Sequence, residues 1–124
     1  HGDTISQSAH LAALRELGFT ATFYQNGNQA TLEAMLRKNK PVPIGILHKG
    51  SISSPTGGGH WLVVIGQTET HFIVHDPFGE LDLINGGYPK NGPTDGKQVA
   101  YTKKNLMKRW LISSNTDGWY WDIQ

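Results

Sequence analysis

The sequence predicts an α+β fold whose centre is an antiparallel sheet. Two runs rich in β-branched residues, 60–66 and 71–75, flank the polar segment 67–70, a pattern typical of two antiparallel strands joined by a tight turn. Two other segments, 5–17 and 31–38, carry apolar residues at helical spacing. With 124 residues, of which 37% are hydrophobic, the chain suffices for one packed core, so we expect a single domain over residues 1–124.

The predicted elements have recognisable ends. The first helix begins at the capping box Thr4 to Gln7 and ends at Gly18, and Asn39-Lys40-Pro41 ends the second. Pro43 lies in the next strand and removes one ladder donor, which indicates the strand's start or a sheet edge. The remaining elements are a strand at 19–24, a strand at 42–47 paired with the strand that begins at His60, a mobile loop at 48–59, a mostly loop-like segment with one short strand at 78–98, a helix capped by Thr102, and a closing strand at 119–123 whose Trp119 and Trp121 share a packing face.

Composition excludes several classes of function. A formal net charge of +1 with scattered Lys and Arg provides no basic stripe for nucleic acid. No apolar run approaches the ~20 residues of a membrane span, and no signal-peptide pattern is present, so a soluble chain is expected. The chain has no cysteine, which excludes disulfides, thiolate metal sites and a thiol nucleophile within these residues. The glycines at 57–59 match no phosphate-binding loop, and no cofactor is expected.

His60 and Asp76 form the candidate chemical site. If the turn is centred on Thr68, His60 lies directly opposite Asp76, with Cβ atoms roughly 4.5–5.5 Å apart on one face. The carboxylate then fixes the imidazole tautomer, and the other ring nitrogen serves as a general base. Two readings stay open here, because His and Asp at strand ends are also common without function, and a turn one residue longer or shorter sends the two side chains to opposite faces.

A metal site is the rival chemistry, since His71 and His75 lie four residues apart. In a strand that spacing separates them by ~13 Å, which one ion does not bridge. We therefore expect no metal.

The phrases Lys40-Pro41-Val42-Pro43-Ile44, Gly59-His60-Trp61-Leu62-Val63-Val64-Ile65-Gly66 and His75-Asp76-Pro77-Phe78-Gly79, in this order after a helix that ends in Leu-Gly, resemble the bacteriocin-processing cysteine peptidases and related papain-like peptidase domains. The resemblance covers about 5–79. It implies a papain-like fold, with His60 as the general base and Asp76 as the orienting carboxylate. Gly58 and Gly59 permit close backbone approach by a ligand, and together with Trp61 they are the predicted substrate contacts.

The chain departs from that family in one respect. The family's nucleophilic Cys begins a helix that precedes the one at 5–17, and an oxyanion-hole Gln comes just before it, whereas neither lies in this chain. Three accounts remain: the Cys helix is encoded upstream, the domain is a non-catalytic derivative, or Ser6 or Ser8 replaces the Cys. We interpret the chain as the C-terminal part of a papain-like peptidase domain, inactive by itself.

The resemblance also implies the partners. The substrate is a double-glycine leader peptide, or a cell-wall peptide if the parent protein is a lysin, and the upstream segment of the same protein completes the site. The competing hypothesis is a peptide-binding or structural module built on the same fold. The compartment is not determined by the sequence, and a soluble domain of a larger exported or virion-associated protein agrees with the composition.

Overall fold

The computed structural model describes residues 21–58, 60–92, 94–112, 114 and 116–123. The helix predicted at 5–17 lies outside these residues, as do Ser6, Ser8 and the first two residues of the strand predicted at 19–24. The described elements are β1 (Ala21–Gly27), α1 (Gln29–Arg37), β2 (Val42–Ile46), β3 (His60–Gln67), β4 (His71–His75), β5 (Val99–Thr102), α2 (Lys103–Trp110) and β6 (Gly118–Ile123).

The strands form one six-stranded sheet in the order β1-β6-β2-β3-β4-β5, with every neighbouring pair antiparallel. The predicted antiparallel centre is therefore confirmed, and β2 pairs with β3 as expected. Because β2 lies inside the sheet, the edge alternative for Pro43 is wrong and the strand-start alternative is confirmed. Pairing of β2 with β6 is limited to Ile44 and Gly45, so it begins only after the proline.

The two described helices begin at side-chain caps. Asn28 Oδ1 accepts from the Thr31 amide at 2.8 Å, so α1 begins two residues before its predicted start. Thr102 caps α2 as predicted. None of the helices in the described ranges is long and apolar enough to cross a membrane.

Two local predictions differ from the structure. The segment 78–98 contains no strand within the described residues, only an isolated bridge between Glu80 and Lys90. Strand β5 was not predicted, because its four residues are too few to show an alternation. All four pair with β4. The strand conformation of β5 is set by that pairing. The closing strand is confirmed.

Both described helices pack on the same face of the sheet and form the core with it. Leu32 of α1 and Trp110 of α2 are 1% exposed. Burial of each such side chain stabilises the fold by about 1.5–3 kcal/mol. The sheet residues facing them are Val42, Ile44, Ile46, Leu62, Val64, Phe72 and Val74. The predicted face of the candidate pair, Leu62, Val64, Phe72 and Val74, is thus confirmed as buried.

The opposite face is less buried. Trp61, Val63, Ile65 and Ile73 are half-buried and His75 is exposed, so the expectation of full cover on both sides holds only for the core face. An aromatic cluster lies on this second face, because Phe23 packs against Trp119 at 5.6 Å and Trp121 at 5.1 Å between ring centroids. The predicted packing role of these two tryptophans is confirmed.

The β3–β4 hairpin has a different register from the predicted one. Near the turn, Gln67 pairs with Phe72. If this register continued along both strands, His60 and Asp76 would point to opposite faces of the sheet. A bulge between Val64 and Gly66 adds one residue to β3, so that Val63 pairs with His75. This extra residue returns the side chains of His60 and Asp76 to the same face of the sheet. Asp76 therefore comes level with Leu62 rather than His60, and the direct opposition predicted from Thr68 is wrong, although the shared face is retained.

A buried lysine of α2, Lys103, connects this helix to α1 and to β3. Lys103, 8% exposed, donates to Glu33 Oε2 at 2.8 Å and to Gln67 Oε1 at 2.9 Å, and lies 4.9 Å from the centre of the Phe72 ring. The bond to Lys103 is the main cause that lowers the pKa of Glu33 from 4.5, with a smaller opposing effect of desolvation.

We expect Glu33→Gln to destabilise the fold in a pH-dependent way. Because the folded pKa of Glu33 is depressed, its contribution is present above the unfolded value of 4.5 and is lost as pH falls through the lower folded value. Solvent screening limits the difference at pH 7 to about 0.5 kcal/mol. Urea unfolding between pH 3 and pH 7 measures it, with the exposed Glu69→Gln as the control. A pH-independent deficit in Glu33→Gln would contradict this account.

Candidate active site

His60 and Asp76 lie together at one end of the sheet. His60 is the first residue of β3 and Asp76 directly follows β4. The His60 Nε2 and Asp76 Oδ1 atoms are 2.8 Å apart, which is a hydrogen-bond distance, and the side chains are 2% and 0% exposed. The buried pair is thus formed by a hydrogen bond across two neighbouring strands.

The Asp76 carboxylate accepts hydrogen bonds from four groups. At Oδ1 the donors are His60 and the Phe78 amide, the latter at 3.1 Å. At Oδ2 they are the hydroxyls of Tyr88 at 2.7 Å and Tyr101 at 2.9 Å. Each carboxylate oxygen therefore receives two donors, which fills the usual acceptor capacity of the ionised group. A proton on Asp76 would have to displace one of them.

This arrangement determines which ring nitrogen of His60 carries a proton. The acceptor is a carboxylate with no proton to give, so Nε2 donates to it. In the neutral ring, Nδ1 then has a free lone pair. No described residue forms a hydrogen bond with Nδ1. The atom with the lone pair is therefore the one able to accept a proton from a reactant.

Aromatic side chains surround the His60 ring. Phe78 stacks on it at 4.2 Å between centroids with an interplanar angle of 22°, and remains 51% exposed on its outer side. Tyr88 meets the ring edge-on at 5.5 Å. Phe78 and Tyr88 also contact each other at 5.7 Å. These contacts restrict rotation of the imidazole and keep water from its bond to Asp76.

A second histidine, His48, lies beside the pair. Its ring centroid is 5.1 Å from that of His60, and its Nδ1 is buried with no hydrogen-bond partner in the described part of the chain. Burial, followed by the proximity of His60, lowers the pKa of His48 below 6.5. His48 is therefore neutral at neutral pH, and it places no second cation beside His60 when that ring takes up a proton.

One buried arginine holds the loops that border the site. Arg109 of α2 is 0% exposed, and its guanidinium donates to the carbonyls of Leu47, Lys49, Gly50 and Leu83 at 2.7–3.1 Å. Burial lowers the pKa of Arg109, and the charge of Asp82 opposes that effect. The loop predicted as mobile at 48–59 is thus attached to α2, and a bridge between Lys49 and Thr56 closes it on itself.

The backbone of Asp76 depends on two glycines. Its amide donates to the Gly96 carbonyl at 2.8 Å, and a Cβ on Gly96 would overlap the Asp76 carbonyl oxygen. Gly79, at φ +117°, ends the turn that starts at Asp76, and a Cβ there would overlap the Lys90 carbonyl oxygen. Close backbone packing at both positions therefore sets where the carboxylate lies.

The other predicted site residues are distributed differently. Gly58 precedes β3 by two residues, while Gly59 lies outside the described residues. Trp61 lies on the opposite face of β3 from His60 and packs against Phe23 at 6.1 Å, so the structure does not bring it together with the pair. Their substrate-binding role stays a prediction.

The two histidines of the rival metal hypothesis are engaged separately. His71 Nδ1 bonds to the Thr70 hydroxyl, and His75 Nδ1 accepts from the Gln98 amide. Within the described ranges, no three His, Asp or Glu side chains lie close enough to hold a metal ion.

Sequence reasoning missed Tyr88, Tyr101, His48 and Arg109. Tyr88 lies in an irregular segment where no periodicity assigns a direction to a side chain. Tyr101 faces Phe72 in the β4–β5 pairing, which was not predicted. No local signal marks Arg109 either, because at helical spacing it lies outside the apolar side that Leu106, Met107 and Trp110 define.

We expect Gly96→Ala to destabilise the fold by more than about 2 kcal/mol, because the new methyl group displaces the Asp76 backbone. Gly66→Ala is the matched control: its Cβ would meet only Ile73 atoms at 3.8–3.9 Å, so its stability should stay within about 0.5 kcal/mol. Thermal unfolding measures both. Equal stabilities would contradict the close-packing account of Asp76.

Residues 2–82 match the model of the family described as papain-like cysteine protease AvrRpt2. No match was found among curated proteins or among solved structures. The matched region includes His60 and Asp76 and ends before Tyr88 and Tyr101. It supports the papain-like part of the predicted resemblance, while the link to bacteriocin-processing peptidases stays a prediction. Since the match spans more than half of the 124 residues, the chain belongs to the AvrRpt2 family of papain-like cysteine proteases.

Proposed function

We propose that this chain carries the base and the orienting carboxylate of a thiol-dependent peptide hydrolase. His60 is the general base, Asp76 its orienting partner, and the nucleophilic cysteine comes from a segment encoded upstream of His1. The observation that carries the proposal is the 2.8 Å bond between His60 Nε2 and a fully buried carboxylate, which leaves Nδ1 for the nucleophile. Membership of a cysteine protease family supports the thiol chemistry.

In the proposed reaction, Nδ1 of His60 takes the proton of the thiol, and the thiolate attacks the carbonyl carbon of the scissile amide. The imidazolium then gives that proton to the departing amine as the C–N bond breaks, which leaves a thioester. Nδ1 next takes a proton from water, whose oxygen attacks the thioester. The C–S bond then breaks, and the cysteine sulfur takes the proton held on His60. Asp76 stabilises the imidazolium formed in each step and does not itself take up a proton.

The proposed substrate is a peptide. A double-glycine leader peptide and a cell-wall peptide are the two candidates, with Gly58, Gly59 and Trp61 as proposed contacts. The exposed outer face of Phe78 beside His60 supports a cleft with an apolar wall at this point. The non-catalytic peptide-binding module is the alternative outcome of the experiments below.

In the encoded protein with its upstream segment, His60→Ala should reduce thioester formation by about 1000-fold or more, because the thiol loses its base. Asp76→Asn should lose less, since the base remains but is less well oriented. Single-turnover acylation by an activated peptide ester, followed by mass spectrometry, measures both variants.

Replacement of His71 or His75 is the matched control for that experiment. Both are histidines of β4 bonded outside the pair, and their alanine variants should acylate within about 2-fold of the parent. Near-normal acylation by His60→Ala would remove the assigned base, and absence of any thioester in the parent would favour the binding module.

We further expect the 124-residue chain alone to hydrolyse no peptide, because it has no cysteine and an unactivated serine is a poor nucleophile. Incubation of pure chain with peptide and peptidoglycan substrates, followed by mass spectrometry, measures this. Turnover abolished by Ser6→Ala or Ser8→Ala would show that a serine had replaced the cysteine.

A further inference from the structure

We propose that Tyr88 and Tyr101 are positioning residues: they keep the buried Asp76 ionised and thereby keep the proton of His60 on Nε2. The inference rests on the proposed function, because it names what holds the base of that site in its working tautomer. Both tyrosines lie beyond the 2–82 region that matches the family, so the family match does not assign this role.

The Asp76 carboxylate is fully buried. Its side chain is 0% exposed, and a buried carboxylate that has lost its contact with water needs partners within the protein. The usual compensation is a lysine or arginine, but no such residue forms an ion pair with Asp76 in the described part of the chain. The compensation comes from hydrogen bonds instead. The two tyrosine hydroxyls supply both of the donors at Oδ2.

The charge of Asp76 matters because it decides the tautomer of its partner. A neutral Asp76 would have a proton to donate, and the nearest acceptor would be Nε2 of His60. With Nε2 accepting, the single proton of the neutral ring would lie on Nδ1. The ring would then present an N–H to the nucleophile and would have no lone pair with which to accept its proton. Loss of the correct tautomer in this way is known to cost catalytic triads several orders of magnitude in rate.

The two hydroxyls are fixed as donors. The Tyr101 hydroxyl also accepts from the Leu81 amide at 2.8 Å, so its own hydrogen points toward Asp76. The Tyr88 ring is held by its contacts with His60 and Phe78, and the preceding Gly87 amide bonds to the His48 carbonyl at 2.9 Å. Burial, together with the negative charge of Asp76, raises the pKa of each phenol well above its usual value of 10. Both phenols therefore stay protonated over the whole pH range in which the proposed base would act.

The test is nuclear magnetic resonance of the chain labelled with 15N-histidine, at about pH 8 where an ordinary imidazole is neutral. In the wild-type chain we expect the His60 shifts of the Nε2–H tautomer. In Tyr88→Phe a measurable fraction of Nδ1–H should appear, and in the double variant Tyr88→Phe/Tyr101→Phe that form should become the major one. Tyr24→Phe is the matched control. Tyr24 of β1 stacks on Tyr120 of β6, away from the site, and its variant should match the wild type.

A second measurement uses the encoded protein with its nucleophile. Tyr88→Phe should lower the acylation rate constant by about 10- to 100-fold and leave KM within about 2-fold, because the base is affected and the substrate contacts are not. Tyr24→Phe should change neither quantity.

Retention of the wild-type tautomer in Tyr88→Phe and in Tyr101→Phe would overturn the proposal and leave the tyrosines as packing residues. Tyr88→Phe carries the test if the double variant does not fold, because it leaves the Leu81 amide bonded to Tyr101. Failure of the proposed function has a different signature. The encoded protein would then form no thioester, while the tautomer of His60 would still respond to the two tyrosines.

Discussion

The buried carboxylate of Asp76 is the constraint on which this end of the molecule depends. A fully buried negative charge is stable only where enough donors converge on it, and here they come from four segments: the start of β3, the turn after β4, the 78–98 segment and β5. Each bond that satisfies the charge also places one of those segments. The position of the His60 ring is therefore a consequence of how the protein's hydrogen-bond donors surround Asp76.

The sheet brings the two residues to one face through an irregularity. The turn at 67–72 alone would leave β3 and β4 one residue out of phase, because side chains alternate between faces along a strand. The bulge beside Ile65 adds the residue that restores the phase at the site. Bulges of this kind are common where a side chain must be redirected, and this one lies between the turn and the functional end of the strand.

Arg109 is the opposite case to Asp76, because its buried cation is satisfied by carbonyl groups. The four carbonyls it contacts belong to the two loops beside the site, so a single guanidinium from α2 holds 47–50 and Leu83 in place. Loss of the guanidinium would remove all four of these hydrogen bonds at once, which is costly. The loops that carry His48 and Tyr88 are thus attached to the helix that packs on the core.

The amino-acid sequence by itself named His60 and Asp76 as the candidate residues. It also determined the antiparallel centre, the helix that the structure places at 29–37 and the helix after Thr102. These features depend on alternation, helix caps and a tight turn, which act over a few residues. Only the tertiary structure decided the register at the site and the donors to Asp76. Tyr88 and Tyr101 lie 12 and 25 residues beyond the carboxylate, and their positions depend on an irregular segment and on a short strand formed by pairing. No local pattern encodes such contacts, because their free energy arises only when a buried charge and distant hydroxyls meet in the folded chain.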